Sequence, residues 1–256
     1  MRKIQKTGDQ GLLSIYFTAG YPTLDSTVAI AKKLEESGAD FLEIGFPYSD
    51  PVADGPTIQH SSEVALKNGM NVEILFEQLS ELRKHVTIPV FLMGYVNPLL
   101  QYGVERFCAD CKKVGVDGII VPDLPMYEYE ELYQDVFEQN DVANIFIVTP
   151  QTSEERIRKI DNLSNSFIYL LSSNATTGTE LSVGDKTTTY FKRIKDMNLK
   201  SPLAIGFGIS NRQSFEQATT YATGAIIGTA FVKLLGKENY LDEIPSFINS
   251  IKGVAS

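Results

Sequence analysis

Short apolar runs, rich in β-branched and aromatic residues, alternate with longer amphipathic stretches along the whole chain. Eight of these runs read as strands: residues 13–18, 40–45, 89–93, 118–121, 144–148, 167–171, 203–206 and 225–228. Between them, residues 26–37, 72–85, 104–114, 128–139, 153–163 and 211–222 repeat apolar positions at helical spacing. Strict alternation implies right-handed βαβ crossovers and a parallel sheet. Eight units in 256 residues favour an α/β fold, a single (β/α)8 TIM-barrel domain over residues 1–256, with a doubly wound sheet as the alternative.

Composition narrows the partners. The chain is 43% hydrophobic and 21% charged, enough apolar material for a full core, and its net charge of −9 argues against a nucleic-acid surface. The first ten residues are polar and the apolar run after them is short, which predicts no leader, no membrane span and a cytoplasmic location. Cys108 and Cys111 form a C-x-x-C, but Phe107, Cys108 and Cys111 recur on one helical face, so they read as small core residues. His60 and His85 are the only histidines, and neither belongs to a metal-ligand or nucleophile pattern, so no metal is expected.

The candidate chemistry centres on the second strand and the loop after it, residues 41–57. An ionisable residue in an apolar strand is costly unless the strand end opens onto a cavity or a partner, and Glu43 is such a residue. None of the eight predicted strands supplies a Lys or Arg to pair with it. Strand alternation turns Glu43 inward if Leu42 and Ile44 face the helices. In the loop, Asp54 reads equally as a functional carboxylate or as the cap of a helix starting near Thr57, whereas Asp50 before Pro51 reads as a turn residue.

Two long connections, residues 46–56 and 172–186, fall on the C-terminal face of a barrel, where active sites are built. Glycine-rich turns follow the seventh strand, at Gly206 and Gly208, and the eighth, at Gly228-Thr229. Backbone N–H groups there could converge on an anion, and Gly178 could add another, although glycine also serves plain turns. Phe17, Met93, Tyr169 and Phe207 could line an apolar mouth, depending on the face each occupies.

The segment LEIGFPYSDPVADGPTIQ from Leu42, VDGIIVPDLP from Val116, YLLS from Tyr169, GFGIS from Gly206 and the Gly228 turn, in this order, resemble the α subunit of tryptophan synthase. The resemblance implies a (β/α)8 barrel that cleaves indole-3-glycerol phosphate to indole and glyceraldehyde 3-phosphate. It implies Glu43 as catalytic acid/base and Asp54 as the carboxylate engaging the indole N–H. Tyr169 matches the family's pocket tyrosine and Thr177 the threonine of the loop after strand six. Gly178, Gly208 and Gly228, with Thr229, match its phosphate positions. No cofactor is implied in this chain. Pyridoxal phosphate is expected only in a β subunit, with which an α2β2 complex forms and to which indole passes, with contact around residues 48–56. The segment before the first strand is short, so a reduced plug at the bottom of the barrel is expected.

Overall fold

In the computed structural model, residues 2, 4, 11–171, 185–206 and 208–253 are described. The strands are β1 (Leu12–Thr18), β2 (Phe41–Gly45), β3 (Val90–Met93), β4 (Gly118–Ile120), β5 (Ala143–Asn144), β6 (Ile147–Val148), β7 (Ile168–Leu171), β8 (Leu203–Gly206) and β9 (Gly224–Ile227). They run parallel in the order β5-β4-β3-β2-β1-β9-β8-β7-β6.

The two ends of that order are halves of one barrel strand. Ala143 and Asn144 pair with β4, while Ile147 and Val148 pair with β7. Between the halves, the Ile145 amide donates to Ile119 O and the Tyr169 amide donates to Phe146 O, each at 2.9 Å. The sheet therefore closes on itself, as the predicted (β/α)8 barrel requires, and a doubly wound sheet with two free edges is ruled out.

Alternation along the strands sorts the core into two layers. On β1, Leu13, Ile15 and Phe17 face the helices, whereas Leu12 and Tyr16 face the barrel axis. On β2, Leu42 and Ile44 face the helices and Phe41 faces the axis, which turns Glu43 inward as well. Phe41, Phe91 and Phe167 meet edge to face inside the barrel, with centroids 5.0 to 6.1 Å apart. Ile4, 4% exposed, packs with this inner cluster, so a residue of the short N-terminal segment reaches the barrel interior.

The predicted helix over residues 72–85 stops early. Val72–Leu79 is helical, capped by the Asn71 side chain, and a short 3-10 turn, Leu82–Lys84, follows. That turn buries Leu82 and aims the Arg83 guanidinium at the carbonyls of Val86, Ile88 and Gly115. Cys108 and Cys111 are buried on the helix Val104–Val114, both thiols pushed up by burial, Cys108 to about 12. The predicted loop over 172–186 lies outside the described residues except its last two positions, which open the helix Asp185–Asp196.

Candidate active site

Glu43 lies inside the barrel near the C-terminal ends of the strands, 0% exposed. Its strand neighbours are Tyr16 on β1 and Phe91 on β3, and the three phenylalanines form an apolar floor. Among the described residues, neither carboxyl oxygen has a hydrogen-bond partner. With nothing to offset desolvation, burial raises the carboxyl to about 8. Glu43 is therefore predominantly protonated at neutral pH.

Asp54 sits on the loop that follows β2, half-buried beside the mouth. It does not cap the next helix: Pro56–Lys67 starts from Gly55, without a side-chain cap. Tyr95, just beyond β3, holds it instead. The Tyr95 hydroxyl accepts from the Ala53 amide at 3.0 Å and donates to Asp54 Oδ2 at 3.1 Å. Burial raises Asp54 to about 6, and the Tyr95 hydrogen bond works against that rise. The loop is further tied by the Asp54 amide to Pro51 O, at 3.0 Å, and by Gln59 Nε2 to Asp54 O, at 2.8 Å. Asp50 is exposed and its carbonyl accepts from the Val52 amide, in keeping with a turn residue.

Two tyrosines lie across the strand ends. The Tyr16 hydroxyl stands 2.2 Å, and the Tyr169 hydroxyl 1.9 Å, from where a Cβ on Gly45 or Gly206 would be. Only glycine admits the phenols there. Burial raises both hydroxyls, and the negative charges of Asp54 and Glu43 add to the rise, so both stay protonated.

The sequence-predicted residues divide clearly. Glu43, Tyr169 and Met93 face the barrel axis, and Asp54 stands beside them. Phe17 does not join them: it is fully buried on the opposite face of β1, against the helices, because the register that turns Glu43 inward turns Tyr16 inward too. Tyr16 occupies the place expected of Phe17. Gly208 follows β8 with φ of +76°, a left-handed conformation that favours glycine, and Gly228-Thr229 opens the helix after β9. Gly228 approaches the Tyr16 ring, its would-be Cβ 3.4 Å from Tyr16 Cδ1. Thr177, Gly178 and Phe207 lie outside the described residues.

Tyr16 and Tyr95 were not singled out from the sequence. For Tyr16 a signal existed: in LLSIYFT the hydroxyl-bearing Ser14, Tyr16 and Thr18 alternate with apolar residues, and so share the inward face. Tyr95 carries no such signal, since its contacts with Ala53 and Asp54 span about forty residues.

A groove on the outer flank of the Asp54 loop is lined by Tyr48, Pro51, Val52, Gln59, His60 and Leu66, and contains neither Glu43 nor Asp54. Val52 there is 82% exposed. Among the described residues, no group of three or more His, Cys, Asp or Glu is arranged to hold a metal, and no helix is long and apolar enough to cross a membrane.

Fold and site together define a class: the (β/α)8-barrel enzymes with a buried carboxyl near the C-terminal mouth. A family model described as tryptophan synthase alpha chain matches residues 1–250. The tryptophan synthase alpha chain of Flavobacterium psychrophilum is 55% identical over 250 residues, 98% of each chain, and that of Bacteroides thetaiotaomicron 48% over 238 residues, 93% of each. Among solved structures, tryptophan synthase of Mycobacterium tuberculosis matches with a TM-score of 0.86 and 31% identity, covering 95% of this chain and 92% of that one. The tryptophan synthase A-subunit of Pyrococcus furiosus matches with a TM-score of 0.86 and 33% identity, covering 95% and 98%.

The chain belongs to the tryptophan synthase alpha chain family. It is a lyase of tryptophan biosynthesis that cleaves indole-3-glycerol phosphate to indole and glyceraldehyde 3-phosphate, with indole passing to a β subunit.

Proposed function

We propose that Glu43 is the acid/base of this cleavage and Asp54 its electrostatic partner; the observation that carries the reading is a fully buried carboxyl inside the barrel with a second carboxyl held at its mouth by Tyr95, burial raising the first to about 8 and the second only to about 6. Between those values Glu43 holds a proton and Asp54 carries a charge. The protonated Glu43 delivers its proton to indole C3, which leaves an indoleninium with positive charge on the ring nitrogen. Asp54 opposes that charge. The Glu43 carboxylate then takes the proton of the glycerol hydroxyl on the carbon bound to C3. The C–C bond breaks, its electron pair restores the neutral indole, and glyceraldehyde 3-phosphate leaves as the aldehyde. Glu43 ends protonated, as it began.

Tyr16, Met93 and Tyr169 line the ring side of this site, with Phe207 and Thr177 assigned by resemblance. The phosphate is assigned to backbone N–H groups at Gly178, Gly208 and Gly228-Thr229, a reading supported by the left-handed turn at Gly208 and by the position of both described turns at neighbouring strand ends. The chain works as one domain over residues 1–256 in the cytoplasm, needs no cofactor of its own and joins a β subunit that carries pyridoxal phosphate, in an α2β2 assembly. The exposed Val52 and the groove around residues 48–66 support docking on that flank.

The test is the pH dependence of kcat/KM for indole-3-glycerol phosphate, which reports the free enzyme. A bell with limbs near 6 and 8 is expected. Asp54→Asn should lower kcat more than it raises KM, because the charge that Asp54 opposes appears mainly in the transition state. A flat profile across that window, or an Asp54→Asn variant with unchanged kcat, overturns the assignment.

A further inference from the structure

Tyr95 holds Asp54, and what holds Tyr95 lies on the neighbouring strand. β3 pairs with β4 as far as Met93 and Ile120, and the Gly94 amide adds one more rung by donating to Ile120 O at 3.1 Å. The next amide on that side of a parallel ladder is two residues on, at Val96. Tyr95 between them stays extended, at φ −95° and ψ 157°. The carbonyl that would receive the Val96 amide belongs to Pro122, but there the chain already turns, the Leu124 amide folding back to Val121 O at 3.2 Å. Asp123 takes the place of that carbonyl: its Oδ1 accepts from the Val96 amide at 2.9 Å.

The amides before and after Tyr95 are thus both tied to β4 or to the loop that follows it. The turn fixed in this way grips the Asp54 loop twice. The Tyr95 hydroxyl binds Ala53 and Asp54, and Asn97 Nδ2 donates to the Tyr48 hydroxyl at 3.1 Å, with the Tyr48 ring against that of Tyr95. Asp123 itself is exposed.

We propose that Asp123 is a positioning residue for Asp54: by receiving the Val96 amide it extends the β3–β4 ladder by one rung and sets the Tyr95 hydroxyl where it donates to Asp54. The catalytic consequence rests on Asp54 being the charge partner of the cleavage. The titratable groups around Asp54 are Tyr16 from β1, Glu43 from β2, Tyr95 beyond β3 and Tyr169 from β7, with Asp123 acting on Tyr95 from the loop after β4. Removing the negative charge of Asp123 would by itself make Asp54 easier to ionise, whereas losing the Tyr95 donor makes it harder. The direction of the change therefore separates the two effects.

The experiment titrates the full chain without substrate, its aspartate carboxyls labelled with 13C and the Asp54 signal assigned by its loss in Asp54→Asn. Asp123→Ala removes the rung and should raise the Asp54 midpoint by about half to one pH unit, the range of one ordinary hydrogen bond. Asp123→Asn keeps an oxygen for the Val96 amide and should leave the midpoint no higher than in the parent. In a Tyr95→Phe background, Asp123→Ala should raise it no further. Hydrogen exchange tests the rung itself: the Val96 amide should be protected in the parent, and Asp123→Ala should quicken exchange at Val96 and Ala53 together. A midpoint that Asp123→Ala leaves unmoved or lowers, an equal rise in Asp123→Asn or in the Tyr95→Phe background, or an unprotected Val96 amide in the parent overturns the proposal. Because neither measurement needs substrate, the proposal can fail while Asp54 remains the charge partner, and can hold if that partner proves to be another residue.

Discussion

Glu43 and Asp117 are carboxylates of the same barrel, 0% and 1% exposed, and they have opposite surroundings. Asp117 precedes β4 at the N-terminal face and accepts from Arg83 Nη2 at 2.7 Å, from the Val90 amide at 3.0 Å and from the Arg2 amide. Arg83 spends its remaining donors on three backbone carbonyls. Glu43, at the C-terminal face, has no hydrogen-bond partner among the described residues. Burial alone does not decide what a carboxylate does. With donors around it, a buried carboxyl ties β3, β4 and the N-terminal segment together; without them, burial favours the protonated form of Glu43. On the proposed assignment, the barrel separates stability at one mouth from chemistry at the other.

The sharpest way to break that comparison is to replace the Glu43 carboxyl by an amide. Glu43→Gln removes the proposed proton shuttle while nearly preserving shape, so cleavage should fall by roughly 10²–10⁴-fold. The fold should survive and gain. Glu43 titrates near 4.5 when free and about 8 in place, so its burial costs nothing in charge below pH 4.5. The cost grows as pH rises through that interval, by roughly 1.4 kcal/mol for each pH unit crossed, and is complete above 8. Urea melts of both proteins should therefore show the Gln variant gaining on the parent between pH 5 and 9. A gain that does not change with pH would mean that Glu43 keeps its charge in the folded chain.

Asp117→Ala should show the reverse. It leaves the Arg83 guanidinium, 17% exposed, without its charge partner, and breaking such a pair costs about 3–5 kcal/mol. The variant should melt far earlier, yet the fraction that remains folded should keep kcat, since Asp117 is remote from the strand ends that carry the site. A selective loss of kcat at full stability would merge the two roles that the two faces keep apart.

How much of this was legible beforehand differs between the two carboxylates. Glu43 stood out because it is a lone charge in an apolar strand with no strand cation to answer it, and the alternation of β2 fixed its face. The role of Asp117 could not be read, since its partner Arg83 is 34 residues away in a turn that local periodicity assigned to a helix. The eight strands were readable because strand patterns are local. The interruption of the fifth strand is a matter of closure between β4 and β7, which no local pattern encodes. Phe17 was misplaced for a related reason: size and aromaticity suggested the pocket, but register against β2 decides the face, and it chose Tyr16.

The smallest expected effect concerns Tyr95, which bridges the two kinds of role by fixing the Asp54 loop through one hydroxyl. Tyr95→Phe keeps the ring, and with it the packing against Tyr48 at 5.4 Å, but loses the acceptor for the Ala53 amide and the donor to Asp54. That donor favours the ionised carboxylate, so its loss should move Asp54 upward from about 6 and carry the acid limb of kcat/KM with it. A hydrogen bond to a charged group is worth about 1.5–3 kcal/mol, which bounds the change at roughly one to two pH units. Above that limb kcat should fall only several-fold, because Gln59 and Pro51 still tie the loop. The profile of the purified chain, recorded alone and with a β subunit, separates the two contributions. If the β subunit restores the rate and leaves the limb displaced, Tyr95 sets the charge of Asp54 and docking sets its position; a limb that never moves would reduce Tyr95 to a loop tether.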